Sequence, residues 1–249
     1  LPDTAGASVM LADFAGTPAL LVMFICNHCP YVKHVRRELA ALGRELFFDR
    51  SLSASGRMAC ATCHDPHHAY GPPDARAVQS GGAALHAAGQ RAVPALRYTL
   101  NHTPRWSKQY QASAVERVIE TDSVPVGGFD WDGRLNSLSE QAASPLLAPL
   151  EMGNASSNQV VSRLQRAPYA NRMRALFGEH LFDDPQAAFA AALRAIERFE
   201  LDDESFRPFS SRYDDYLEGR ATLSAAEVRG LRLFNDPLQG NCSSCHPSE

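Results

Sequence analysis

Two five-residue strings constrain this 249-residue chain more than anything else in it: C-A-T-C-H at Cys60 to His64 and C-S-S-C-H at Cys242 to His246. A third pair, Cys26 and Cys29 in F-I-C-N-H-C-P-Y-V-K-H, has the same spacing but is followed by Pro30. All six cysteines of the chain fall in such pairs, which scattered structural cysteines would not do. Two chance C-x-x-C-H strings would arise at a frequency on the order of one in 10⁵. The cysteines are there for chemistry.

C-x-x-C-H is the attachment motif of c-type haem. The two thiols add across the vinyl groups, and the adjacent imidazole reaches the iron from one face. A short helical turn places all three on one side of the porphyrin. Cys60, Cys63 and His64 therefore hold a first haem, with His64 as axial ligand, and Cys242, Cys245 and His246 a second. The competing readings are a disulfide or half of a zinc site, but a Cys₄ ribbon needs its pairs roughly 15–20 residues apart, and these are far apart. Each motif follows an amphipathic segment, Leu42, Leu46 and Phe47 before the first and Leu231, Leu233 and Phe234 before the second. Such a face packs near a porphyrin edge.

From about residue 39 to the end, the chain resembles the bacterial dihaem cytochrome c peroxidases, including their MauG-like branch. The matching strings run in family order: L-F-F-D-R-S-L-S-A-S-G, C-A-T-C-H-D-P, R-A-V-P-A-L-R-Y-T-L-N, W-D-G-R-L-N-S-L-S-E-Q-A-A-S-P-L-L-A-P-L-E-M-G-N, L-S-A-A-E-V-R-G-L-R-L-F and C-S-S-C-H. The resemblance implies two covalent haem c groups and reduction of hydrogen peroxide to water. Electrons would come from a small cytochrome c or cupredoxin and pass from the second haem to the first. MauG-like members instead oxidise a partner protein's side chain, and a third reading is a dihaem electron carrier without catalysis. The acid–base group of the family falls on Glu140, and a dry pocket raising a carboxyl pKa would suit that role. Where the family commonly has Gln, this chain has Asp130, which adds a negative charge; Arg134 and Trp131 would organise the pocket. Of the loop histidines His67, His68, His86 and His102, His86 stands in the best region for a resting sixth ligand of the first haem. An Asn that helps hold an inter-domain calcium in many members is replaced near Ala92, which leaves calcium in doubt as a further cofactor. The family's Met or Tyr sixth ligand of the second haem lies well beyond the second motif, and only three residues follow His246 here. Met152 and Met173 read as structural. A periplasmic location follows from the family, and a homodimer is compatible with it.

The expected fold is mainly α: two cytochrome c-like haem domains, the second incomplete, preceded by a short thioredoxin-like β-α fragment. Residues 1–38 would form that fragment, 39–154 the peroxidatic haem domain and 155–249 the electron-transfer haem domain. P-A-L-L-V-M-F-I-C followed by Y-V-K-H-V-R-R-E-L reads as a buried strand running into a helix, similar to the start of peroxiredoxin-related, thioredoxin-like proteins. Cys26 and Cys29 would sit at the helix start as a redox dithiol or disulfide, where thiol pKa values fall. Residues 158 to about 200 carry apolar side chains at three- and four-residue intervals, hence helices. Asp183/Asp184 before Pro185, and Ser224 with Glu227, read as helix N-termini. The net charge of −4 gives no reason to expect a nucleic-acid partner. The longest apolar run is too short to cross a bilayer as a helix.

Overall fold

The computed structural model describes residues 30–98, 107–110, 124–126, 128–244 and 246. Its contacts divide the chain into two compact units, Leu1–Arg36 and Arg37–Glu249. Of the first unit only residues 30–36, the opening of a helix, are described. The strand expected before Cys26, and Cys26 and Cys29 themselves, lie outside the described residues.

The described residues are mainly helical, as expected. In chain order the helices are α1 (Pro30–Phe48), α2 (Cys60–Cys63), α3 (Leu138–Leu147), α4 (Ser157–Leu164), α5 (Ala170–Phe177), α6 (Pro185–Asp202), α7 (Arg212–Leu217) and α8 (Ala225–Asn235). Two antiparallel ribbons accompany them: β1 (Ser80–Gly81) with β2 (Ala87–Ala88), and β3 (Ser107–Tyr110) with β4 (Val124–Val126).

The helix starts follow the residues written for them. Asp184 caps α6 by accepting from the backbone N–H of Gln186 at 2.9 Å and of Ala187 at 3.2 Å, with Pro185 in the first turn. Ser224 and Glu227 form the reciprocal capping box that starts α8. The helical stretch read from residue 158 to about 200 is broken into three: Pro168 lies in the gap between α4 and α5, and Gly178 (φ 109°) ends α5 in a conformation that side-chain-bearing residues avoid.

The core is built on α6. Its buried face carries Ala188, Ala191, Ala192, Ala195, Ile196 and Phe199, and the four alanines leave room for other backbones. α3 and α4 pack against it. The second unit's part of α1 comes closest: Leu42, Leu46 and Phe47 are buried, and between them lies Gly43. A Cβ at Gly43 would collide with the carbonyl oxygen of Ala195 and lie 2.9 Å from Cβ of Phe199. Glycine is therefore needed for contact, not for backbone freedom. Burying a Phe or Leu here stabilises the fold by roughly 2–3 kcal/mol.

An aromatic cluster ties this helix pair to the chain after α2. Phe47 meets Tyr70, Phe199 and Phe206 edge to face at 5.4–6.1 Å between ring centres. Tyr70 stacks on Phe206 at 3.9 Å, and its hydroxyl shares a hydrogen bond with Ser205. On the other side Asn154, buried at the end of the segment after α3, donates to the carbonyls of Leu52 and Leu146 at 2.8 and 2.9 Å.

One buried cluster thus runs from Leu42 to Phe206. It crosses the 154/155 boundary read from the sequence, because the apolar stripes of α4 and α6 have their partners on α1 and α3. The segment before the second motif is packed less closely. Leu231 and Phe234 are half-buried and Leu233 is 48% exposed, so this face is not packed among the described residues as its counterpart in α1 is.

Replacing Gly43 by Ala should destabilise the protein by about 3 kcal/mol through overpacking of α1 on α6. Denaturant unfolding should show a lower midpoint with an unchanged slope, since compactness is not at issue.

Candidate functional site

The first C-x-x-C-H string forms one turn. The backbone N–H of His64 donates to the carbonyl of Cys60 at 2.9 Å, which closes α2. Thr62 returns its hydroxyl to accept the N–H of Ala59 at 2.8 Å, fixing the entry to the turn. This brings both sulfurs and the imidazole to a single cavity of about 360 Å³, within the range of a ligand pocket. Phe47, Met58, Leu96, Met152 and Ile196 supply apolar wall; Asp130, Trp131, Arg134, Arg91, Glu151 and Glu200 supply polar wall.

His64 is held for metal binding. Its Nδ1 lies 3.0 Å from the carbonyl of Tyr70, and a carbonyl only accepts, so Nδ1 carries the proton. Nε2 is then left with its lone pair. Burial lowers the pKa of His64, opposed by the carbonyls of Tyr70 and Pro94 and by the charge of Asp130. The ring is neutral, as a ligand must be. Both thiols are free and protonated. Burial, then the charge of Glu200, pushes Cys60 up to about 12, and burial and Glu151 raise Cys63.

A closed loop forms the rim. Gly128 (φ 78°) sits so close to Gly133 (φ 68°) that a Cβ on Gly128 would strike the backbone of Gly133. The N–H of Phe129 donates to Leu135 at 2.6 Å across the neck. Arg134 lies between Asp130 at 2.5 Å and Asp132 at 2.8 Å, and Arg91 reaches Asp132 at 2.9 Å. Trp131 donates its indole N–H to the carbonyl of Ala92 at 2.9 Å, which docks the loop on the segment after β2. Asp130 and Arg134 thus stand at the cavity, with Arg134 neutralising the extra carboxylate.

Glu140 is placed differently. It lies in the first turn of α3, where Ser137 accepts its N–H at 3.1 Å and its carboxylate accepts the N–H of Asn136 at 2.8 Å. Its side chain is exposed and caps the helix, while Gln141 beside it lines the cavity. His86 is exposed and lines no part of the cavity; His67 and His68 are exposed around Asp65, and His102 lies outside the described residues.

Two cavity carboxyls were not singled out by sequence. Glu151 is raised by burial and by the charge of Asp130. Glu200 is 5% exposed, and its Oε2 has no hydrogen-bond partner. Burial, then the charge of Glu197, pushes it up to about 8. The signal was its position: Glu200 stands one helical repeat after Ile196, on the buried stripe of α6.

At the second string the N–H of His246 donates to the carbonyl of Cys242 at 2.9 Å, the same closure as at Cys60 and His64. Cys242 and His246 are exposed, and Cys245 lies outside the described residues.

A mainly helical chain whose two C-x-x-C-H turns close alike, one of them into an apolar cavity with a neutral, oriented histidine, has the design of a multi-haem c-type cytochrome. The profile of the di-haem cytochrome c peroxidase family matches residues 37–222, and the chain belongs to that family. It is 35% identical over 212 residues to the methylamine utilization protein MauG of Paracoccus denitrificans, covering 84% of this chain and 51% of that protein. It is 28% identical to the cytochrome c551 peroxidase of Nitrosomonas europaea, covering 84% and 51% of the two. The crystal structure of the diheme peroxidase BthA from Burkholderia thailandensis superposes with a TM-score of 0.71 at 36% identity, over 84% of this chain and 48% of that one. The chain spans about half the length of the curated relatives it matches. The family carries two covalently bound haem c groups, and this chain contains both attachment motifs.

The donor set fits that cofactor at the first motif: two adjacent thiols, a ligand nitrogen left bare, an apolar wall, and arginines at the rim. Before the cofactor is attached, Glu200 should make stability pH-dependent. Its folded pKa lies above its unfolded value of 4.5, so its stability contribution is complete below 4.5 and is lost as pH rises to about 8. The loss is on the order of 5 kcal/mol. Urea unfolding of the unloaded chain between pH 4.5 and 8.5 should show this decline, and Glu200→Gln should flatten it.

Proposed function

We propose that this chain provides the peroxide-reducing haem site of a periplasmic dihaem peroxidase, together with the attachment site of the haem that feeds it electrons. The observation that carries the reading is His64: neutral, held through Nδ1 by the Tyr70 carbonyl, with Nε2 bare in a cavity that both Cys60 and Cys63 line. Bound there, haem c would supply the redox iron for the two-electron reduction of hydrogen peroxide to water. The donor is a small cytochrome c or cupredoxin. Among the described residues no helix is long and apolar enough to cross a membrane.

The chain's own residues bind, orient and move protons. Cys60 and Cys63 anchor the cofactor and His64 ligates its iron; Cys242, Cys245 and His246 do the same at the second motif. Glu140 is the acid–base group: it takes a proton from the bound peroxide and returns it to the departing oxygen. For this its carboxylate exchanges the Asn136 N–H for the cavity that its neighbour Gln141 already faces. Asp130 stands at the same cavity, where Arg134 pairs with its carboxylate. Trp131 and Arg91 hold the loop that presents both. The haem domains are 39–154 and 155–249, the first borrowing α4 and α6 for its core. His86 serves as a ligand only if its loop folds over the cavity.

Similarity to MauG proteins at 33–35% identity favours a second reading, oxidation of a partner protein's side chain. Steady-state peroxide consumption with a reduced cytochrome donor separates the two. Turnover that needs only the small donor supports the peroxidase, and turnover that appears only with a protein substrate supports the other.

Serine at both Cys60 and Cys63 should lower the covalent haem count of denatured protein from two per chain to one, read from the haem spectrum. Glu140→Gln should keep both haems and lower peroxide turnover by about 10²–10⁴-fold. Unchanged turnover would remove Glu140 from the mechanism.

A further inference from the structure

Glu200 has no task in the mechanism above. It sits in the last turns of α6, almost wholly buried, in the wall of the cavity that Cys60, Cys63 and His64 line. One carboxyl oxygen, Oε2, has no partner. Leaving such a group unpaired in a dry wall costs about 1–3 kcal/mol, and more when it is charged. The neighbours offer no compensation. Glu197 on the same helix is a like charge, and Cys60 on α2 is a thiol that haem attachment converts to a neutral thioether. The residues that α1, α3 and α4 bury in this core, among them Phe47, Ala142 and Val161, are apolar. Across the cavity Arg134 is already paired with Asp130 and Arg91 with Asp132, and Glu151 is a further acid. Among the described residues, what the pocket lacks for Glu200 is an unpaired positive charge.

Resting on the haem reading of this cavity, we propose that Glu200 is the internal counter-charge of the haem held by Cys60, Cys63 and His64. It is ionised beside the ferric centre and takes up a proton when the iron is reduced. One electron arrives from an external one-electron donor, the small redox protein or dithionite, and iron passes from ferric to ferrous. One proton arrives from solvent, and an O–H bond forms on the Glu200 carboxylate. The raised pKa of Glu200 in the cavity without a cation agrees with this, because burial favours the neutral acid until a positive charge opposes it. Glu200 is thus a positioning residue for charge, separate from Glu140, which acts on peroxide.

The test is a potentiometric titration of the haem-loaded chain, wild type and Glu200→Gln, followed by absorbance between pH 6 and 9. In the wild type one of the two haem transitions should fall in potential as pH rises. In Glu200→Gln that transition should lose its pH dependence. At pH 9 it should lie higher by at least a tenfold change in the one-electron equilibrium, which is 59 mV. The other transition should not move. Identical titrations in the two proteins overturn the proposal. Redox-difference infrared spectra of the wild type give an answer that does not depend on the variant folding. A carboxylic acid carbonyl band should appear on reduction and shift with labelled glutamate, and its absence overturns the proposal. A haem count on denatured protein separates the two levels of inference. A missing haem at Cys60 and Cys63 sinks the site reading and the proposal together, whereas a full count with an unmoved potential sinks Glu200 alone.

Discussion

The hydrogen bond from His64 Nδ1 to the carbonyl of Tyr70 joins the core of this protein to its chemistry, because the same residue is anchored twice over in the aromatic cluster. Its ring stacks on Phe206 and meets Phe47 edge to face, and its hydroxyl is held by Ser205. A hydrophobic contact thereby becomes the orientation of an imidazole. Phe47 and Phe199 in turn can meet only because Gly43 lets α1 lie on the backbone of α6. A chain of packed residues therefore runs from one missing Cβ to the direction of a metal-ligand lone pair.

Charge is distributed around the cavity by a simple rule. Carboxylates at the rim are paired with guanidinium groups, as Asp130 and Asp132 are with Arg134 and Arg91. The carboxyl buried in the wall, Glu200, has none and is pushed toward its neutral form. A rim of fixed ion pairs changes little with pH, whereas an unpaired acid in the wall responds to any charge that enters. Deep burial of a charged pair would have been costly, and leaving the acid protonatable avoids that cost.

The sequence made the attachment chemistry legible because five contiguous residues close their own turn, with no help from distant parts of the chain. Both strings do so, His64 on Cys60 and His246 on Cys242. The caps at Asp184 and Ser224 were readable for the same reason. What could not be read depended on distance. Glu200 lies in a helix whose apolar period was visible, but the cavity it faces is assembled from α1, α2, α3 and the loop at 128–135. The shared core across residues 154 and 155 was hidden likewise, since a stripe of apolar residues does not name its partner. Glu140 is the reverse case. Its motif was evident, while its side chain is here engaged in the competing local task of capping α3.

The loop from Gly128 to Leu135 has a consequence for the order in which the pocket is built. Its closing contacts, Gly128 on Gly133, Phe129 with Leu135 and Arg134 between two aspartates, all join residues within seven positions of one another. The wall opposite requires Gly43 to find Ala195. Short closures sacrifice little chain entropy and are made fast, and long ones are slow. The entrance can therefore stand while the chamber behind it is still unfinished, a doorframe raised before the room.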